Sequence, residues 1–459
     1  MKAFTEPLLS LAGFEEMTKT AEKSSGLISV TGCIDAQKSQ MIYAFGGHRK
    51  NKLIVTFGEQ KAKELYDEYS FFDKEVVYYP SKDVLFYQSD IRGNLLTAER
   101  IRALKAIREQ ERVTLVTTFD ALMNTMAPIE KMWENVLTLE QGQLLDLKEI
   151  QAALIRMGYE KEYQVQTMGQ FSVRGGILDV FPLTEENPIR IELWGDEIDT
   201  IRYFDCESQK SIENIDRVSI YPAAELVLSD EEKAGGIEKL KAEAKRVSDK
   251  LRKQMKTEEA HRVTVMADEL TEEWGELSMY AGMDAFLSYF FDERVGLLDY
   301  FKPSDSLIFF DELTRCTEQG KLTETEFSES MKQRLAMGYI LPGQMNGLFT
   351  EKEIVAKLGK YSCIALGALD NKANGLHQLG SYGIHCQSVS PYNNSFELLI
   401  KDLKRYKKNG YRVILLSGSR TRAKRLSEDI TDQGITCFYT ENYDHELFEG
   451  QIMVCYGKV

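Results

Sequence analysis

The chain has 459 residues, enough for three or four domains rather than a single core. Its 72 acidic against 57 basic residues give a formal charge of -15, which argues against broad, unaided duplex binding, since that needs a basic stripe to release counterions from phosphates. Seven scattered cysteines with no CxxC pair, and charged residues interrupting every apolar run near the start, point away from zinc, disulfides, a signal peptide and a membrane span; reduced thiols in a cytoplasm are the simplest account.

From 26 to about 128 strands and helices alternate, with strands expected at 27–31, 53–57, 76–79 and 113–117 and helices at 38–45, 60–69 and 98–108. That rhythm predicts βαβ units around a parallel sheet, an α/β layer architecture. The first strand leads into Gly32-Cys-Ile-Asp-Ala-Gln37-Lys38-Ser39, which has the spacing of a phosphate loop, GxxxxGK[ST], with Gln37 at the second glycine. A working loop wraps backbone N–H groups around phosphates, and its glycines permit the close approach. Gln37 puts a side chain there and Asp35 adds negative charge inside the anion nest. Gly32, Gln37, Lys38 and Ser39 therefore read as a decayed phosphate site, and no nucleotide or other cofactor is expected.

From 129 to 222 the pattern changes to one helix, 147–157, followed by several alternating strands, which predicts a small α+β insertion. Between 177 and 205 apolar residues alternate with charged ones at period two, while Gly175-Gly176 and Pro182 mark turns. One face packs, and the other displays Arg190, Glu192 and Trp194. From 223 to about 360 helical patterning returns, with a highly charged stretch at 232–262 and a strand at 307–310 expected to rejoin the first sheet. Asp311-Glu312 at its end is similar to a second helicase element, in which Asp holds magnesium and Glu positions water; a solvated strand terminus is an equal alternative.

The last unit, 361–459, is predicted as a small separate α/β domain: helices at 395–408 and 420–430 with strands at 413–416, 436–439 and 452–455. Its basic run, Lys401 to Arg412, reads first as a solvated helix face near a helix C-terminus that favours cations, with nucleic-acid contact as the alternative. The five histidines lie far apart with no partner spacing suggestive of a triad. The chain stops just after a strand, as a piece of a longer polypeptide would.

Three runs in order, FSVRGGILDVFP at 171–182, IRIELWGDEI at 189–198 and IRYFDCESQKS at 201–211, closely resemble the second domain of bacterial transcription-repair coupling factors, a domain shared with the excision-repair helicase UvrB. The resemblance implies that this domain docks UvrA through Arg174, Arg190 and Trp194. Without it, the arginines would read as bridging Glu192 or Asp196 and the tryptophan as covering a neighbouring strand. The likeness extends along the chain: 1–128 is similar to the family's domain 1a and 223–360 to its domain 1b, a degenerate helicase-like pair around the inserted domain, while 361–459 is similar to a third domain of unknown role. The short linker 91–98, standing where UvrB carries a DNA-clamping hairpin, favours the coupling factor. In that family RNA polymerase and duplex DNA are bound by domains beyond this chain. The resemblance thus implies a non-catalytic UvrA-recruitment module; the alternative is an ATP-dependent, UvrB-type DNA enzyme resting on Lys38, Ser39, Asp311 and Glu312, although the arginine element of a helicase second half is absent.

Overall fold

The structure, a computed structural model, describes residues 1–45, 49–83, 93–276 and 282–458. In chain order the first elements are α1 (Lys2–Leu9), α2 (Phe14–Lys23), β1 (Gly26–Thr31), α3 (Asp35–Phe45), β2 (Asn51–Thr56), α4 (Glu59–Tyr69), β3 (Val77–Tyr79), α5 (Gly93–Glu109), β4 (Val113–Thr118), α6 (Phe119–Met123) and α7 (Ile129–Glu134). The next are β5 (Leu137–Glu140), α8 (Leu147–Arg156), β6 (Glu160–Lys161), β7 (Gln170–Arg174), β8 (Ile177–Val180), β9 (Ile189–Trp194), β10 (Glu197–Phe204), β11 (Ser211–Ile215) and β12 (Arg217–Ile220). Then come α9 (Asp230–Lys253), α10 (Thr257–Glu276), α11 (Leu287–Phe290), β13 (Ser306–Asp311), α12 (Leu313–Ala336), α13 (Glu351–Leu358), β14 (Ser362–Leu366) and β15 (Gln378–Gly383). The chain closes with α14 (Phe396–Lys408), β16 (Val413–Ser417), α15 (Arg420–Asp432), β17 (Phe438–Tyr439) and β18 (Ile452–Tyr456).

A seven-stranded parallel sheet with order β15-β1-β14-β13-β2-β4-β3 forms the first layer system. Its central strands are buried on both faces, as their continuous runs LISV, LIV, VTLV and LIFF require once helices cover both sides. One face packs against α5, α6, α12 and α13, and the other against α2, α3 and α4. Because β13 returns to pair with β2 after the segment 129–305, the residues between stand outside the parallel sheet, a longer stretch than the insertion expected at 129–222.

Within that insertion, β6 to β11 form a six-stranded sheet and β5 pairs with β12. The α9–α10 pair follows, opened by a capping box between Ser229 and Glu232 and cored by Leu240, Ala244, Val263, Ala267 and Trp274.

The sheet order corrects the boundary placed at 360. Ser362–Leu366 lies between β1 and β13, and Gln378–Gly383 pairs with β1 in parallel. Both belong to the first sheet, and the last unit keeps only the three strands β16-β18-β17. The linker 91–98 is corrected in part: its first two residues lie outside the described residues, and from Gly93 onward it is the opening of α5. Among the described residues no helix is long and apolar enough to cross a membrane, and no group of three or more His, Cys, Asp or Glu side chains could hold a metal ion.

Candidate docking face and phosphate loop

Strands β7 to β10 make an antiparallel meander whose alternation separates two faces. Phe171, Leu178, Val180, Ile189, Ile191, Ile198 and Ile201 pack inward with Leu154 of α8. The opposite face carries Arg174, Asp179, Arg190, Glu192 and Trp194, with Asp179 directly across from Arg190. A carboxylate 1% exposed must be matched by donors. Arg190 grips it with a fork, Nε to Oδ1 at 2.7 Å and Nη2 to Oδ2 at 2.9 Å, and Arg174 Nη2 donates to the same Oδ2 at 3.0 Å.

The third sequence run supports the second. Arg190 Nη2 also donates to Gln209 Oε1 at 2.8 Å, and its guanidinium lies 4.3 Å above the Phe204 ring. Gln209 has a left-handed backbone, φ 58°, in the turn after β10. Asp179, Phe204 and Gln209 were not singled out by sequence reasoning; the detectable signal was an acidic residue in an otherwise apolar strand opposite an arginine. Glu192 instead pairs with Arg202 at 2.5 Å, which holds its carboxyl below the usual range. The arginines therefore bridge Asp179, not Glu192 or Asp196.

Trp194 sits at the tip of the β9–β10 hairpin, paired with Glu197 across a turn in which Gly195 has φ 63°. It is 84% exposed and covers no neighbouring strand. Four residues along one strand set it roughly 13 Å from Arg190, on the same face. Arg174 is about a third exposed and Arg190 mostly covered, so the face offers a fixed pair of guanidiniums at one end and a free indole at the other.

At the carboxyl edge of the parallel sheet, the loop after β1 and the end of β13 meet. Lys38, 1% exposed, donates to Asp311 Oδ1 at 2.5 Å, Asp35 Oδ1 at 2.7 Å and Glu312 Oε1 at 3.2 Å. Burial alone would lower its ammonium, but Asp311 and the other carboxylates outweigh that and raise it. Thr56 Oγ1 donates to the second oxygen of Asp311 at 2.7 Å, and Ser39 Oγ to Glu68 at 3.4 Å. The N–H groups of Gly32 and Cys33 donate to the carbonyls of Ala368 and Gly367 at 3.2 and 3.1 Å. Gly32 has φ 77°, and a Cβ there would stand 2.1 Å from the Ile384 carbonyl, so the chain leaving β15 crosses over this glycine. Gln37 lies in the first turns of α3 and its amide oxygen accepts from Cys386 Sγ. Lys38 and the Asp311-Glu312 pair thus share one cluster, which Gly32 adjoins through Ala368, while Gln37 and Ser39 are bonded instead to Cys386 and Glu68; Arg174 and Arg190 meet at Asp179 on the inserted sheet, with Trp194 farther along the same face.

Residues 137–226 match the family model of the UvrB interaction domain. The chain is similar to the transcription-repair-coupling factor of Bacillus subtilis strain 168, 26% identical over 408 residues, covering 88% of this chain and 34% of that one. It is likewise similar to those of Staphylococcus haemolyticus, 25% over 442 residues and 94% of this chain against 36% of that one, and Staphylococcus aureus strain MRSA252, 26% over 459 residues and 97% against 37%. The chain therefore spans about a third of the length of these relatives. Homology to coupling factors over most of the chain accords with the resemblance carried by the three sequence runs.

Proposed function

We propose that this chain is a recruitment module of transcription-coupled repair, in which the polar face of β7 to β10 docks UvrA and brings excision repair to a stalled RNA polymerase. RNA polymerase would then be engaged by other parts of a longer, cytoplasmic coupling factor, which would also supply the main grip on duplex DNA. The observation that carries this reading is the convergence of Arg174 and Arg190 on buried Asp179 beside a Trp194 left 84% exposed. Arginine and tryptophan supply most interface hot spots, and guanidiniums already fixed in place lose little entropy on binding. The match of 137–226 to the UvrB interaction domain supports docking through this domain.

The cluster around Lys38 favours a non-catalytic chain. Two loop N–H groups that would cradle phosphate serve carbonyls, and the lysine that would reach it is held by three carboxylates. The second reading, an ATP-dependent enzyme, draws on the same juxtaposition of Lys38, Ser39, Asp311 and Glu312 at one sheet edge. Calorimetric titration with UvrA tests the first: Arg174→Ala and Trp194→Ala should each weaken association by about 1 to 4 kcal/mol with the circular dichroism unchanged. Full affinity in both variants rejects this face. A nucleotide bound at 100 times its Kd would add about 2.7 kcal/mol of stability, so a raised Tm with Mg-ATP that Lys38→Ala abolishes would favour the enzyme.

A further inference from the structure

We infer that the helical face of the last unit is a docking surface for the phosphate backbone of duplex nucleic acid. Although the whole chain carries -15, residues 401–425 contain ten basic side chains and one acidic one. The fold gathers them. Helices α14 and α15 pack on the same side of the β16-β18-β17 sheet, burying Ile400, Leu403, Ala423 and Ile430 against Ile452 and Val454. Their opposite surfaces turn outward together, exposing Lys401, Lys404 and Lys408 on α14 and Arg422 and Arg425 on α15.

Dipole capping explains only half of this charge. Arg405, Lys407 and Lys408 close the last turn of α14, where cations are favoured; Arg405 pairs with Asp402 at 2.9 Å and Lys407 donates to the Thr436 carbonyl. In α15 the cations stand at the wrong end. Arg420 and Arg422 open the helix, Lys424 and Arg425 follow, and no acidic residue offsets the positive pole of its dipole. Arg420 finds Glu441 at 3.5 Å and Lys424 lies over Tyr439, but Arg422, Arg425, Lys401, Lys404 and Lys408 form no ion pair among the described residues. Cations kept at a helix terminus that repels them stabilise a bound polyanion rather than the fold.

The contrast with α9 sharpens the assignment. That helix carries eight basic residues interleaved with six acidic ones, with Lys239 paired to Asp292 and Arg252 to Asp249. Its field is cancelled along its length; α14 and α15 together carry nine basic and five acidic residues, but the acidic ones stand outside the stretch from Lys404 to Arg425, which is left wholly basic. The partner follows from the charge of the surface. Its exposed apolar side chains, Phe396, Leu398 and Tyr411, stand at the two ends of α14, and Arg420 and Lys424 lie over Tyr456 and Tyr439, so the surface between them is set by cations rather than by an apolar face that could enter a bilayer. Cations gathered on two neighbouring helices fit a phosphate backbone, and a duplex carries twice the charge per length of a single strand.

Fluorescence polarisation of a labelled DNA duplex with the full chain tests the assignment. Wild type should bind with an affinity that falls steeply between about 50 and 200 mM salt. The combined variant Lys401→Glu, Lys404→Glu, Arg422→Glu, Arg425→Glu should lose at least about tenfold in affinity and flatten the salt slope by about 0.9 per contact removed. Lys241→Glu with Lys245→Glu on α9 should stay within about twofold, and unchanged circular dichroism would show both proteins folded. Absence of salt-dependent duplex binding by wild type, equal loss in the α9 variant, or binding to anionic phosphatidylserine vesicles without binding to duplex would each overturn it.

Discussion

Asp179 and Glu225 are the same device used twice: a buried carboxylate held between two cations. Asp179 lies between strands of the inserted sheet, whereas Glu225 stands where the chain leaves it. Glu225 accepts from Arg100 Nε at 3.0 Å and from Lys82, which also bonds Asp284 at 2.7 Å, and the Arg100 guanidinium lies 4.1 Å over the Tyr79 ring. Burial pushes the Glu225 carboxyl up, but Arg100 and Lys82 overcome this and hold it down at about 2, against an ordinary 4.5. A depressed folded pKa means that the stabilisation is complete above the unfolded value and is lost as pH falls through the folded one. At 1.36 kcal/mol per unit the contribution is about 3 kcal/mol at neutral pH. Glu225→Gln should therefore be less stable than wild type by an amount that is constant from pH 7 to 5.5 and about 1 kcal/mol smaller near pH 3.5. Urea midpoints at each pH measure this, and a gap independent of pH would mean that the carboxylate charge is not what matters.

At the scale of elements, adjacent glycines in α9 give opposite expectations. A Cβ on Gly235 meets nothing within 4 Å, whereas one on Gly236 would stand 2.2 Å from the Phe290 ring of α11. Gly235→Ala should stabilise by about 0.5 to 1 kcal/mol through helix propensity, while Gly236→Ala should destabilise by about 1 to 3 kcal/mol because the ring must leave its site. Thermal unfolding of the pair decides it, and stabilisation in both would show that α11 yields freely. Such contacts are illegible in sequence because they depend on which helix lies opposite. What was legible had local causes: doubly buried strands such as β2, β4 and β13 announce themselves as apolar runs, and the one-sided β8 and β9 by alternation. β14 is also an apolar run, yet nothing local says which sheet it joins, so 361–383 was given to the wrong unit. β15, QLGSYG, is a polar edge strand with no run at all. The site divided in the same way. Arg174, Arg190 and Trp194 were singled out only by the resemblance that the three runs carry, and the role of Asp179 emerges only once register sets it against Arg190.

The whole molecule joins its last unit to the parallel sheet through α1. Phe4, 6% exposed, meets Phe71 and Phe72 edge-on at 5.4 and 5.7 Å and shares a cluster with Leu447, Met453 and Cys455 of the last unit. The Ala3 N–H donates to the Tyr443 carbonyl at 3.1 Å. This contact covers the side of the β16-β18-β17 sheet opposite α14 and α15, which is why the basic helices face outward. Beside it lies a cavity of about 350 Å³ lined by Phe4, Pro7, Ala36, Gln40, Ile414 and Leu416, so the ring is poorly backed on that side. Neighbours cannot easily collapse into the extra space left by Phe4→Ala, and the loss should be near the upper part of the usual 3 to 5 kcal/mol. Because the affected contacts lie at the junction of the last unit with the parallel sheet and outside the core of that sheet, that energy should be withdrawn from the junction rather than from the whole chain. Amides of β18 should then exchange hydrogen faster in Phe4→Ala while those of β2 and β4 keep their protection. Equal acceleration in all three strands would mean that the last unit and the parallel sheet open together, and that α1 belongs to a common core rather than acting as a clasp between two.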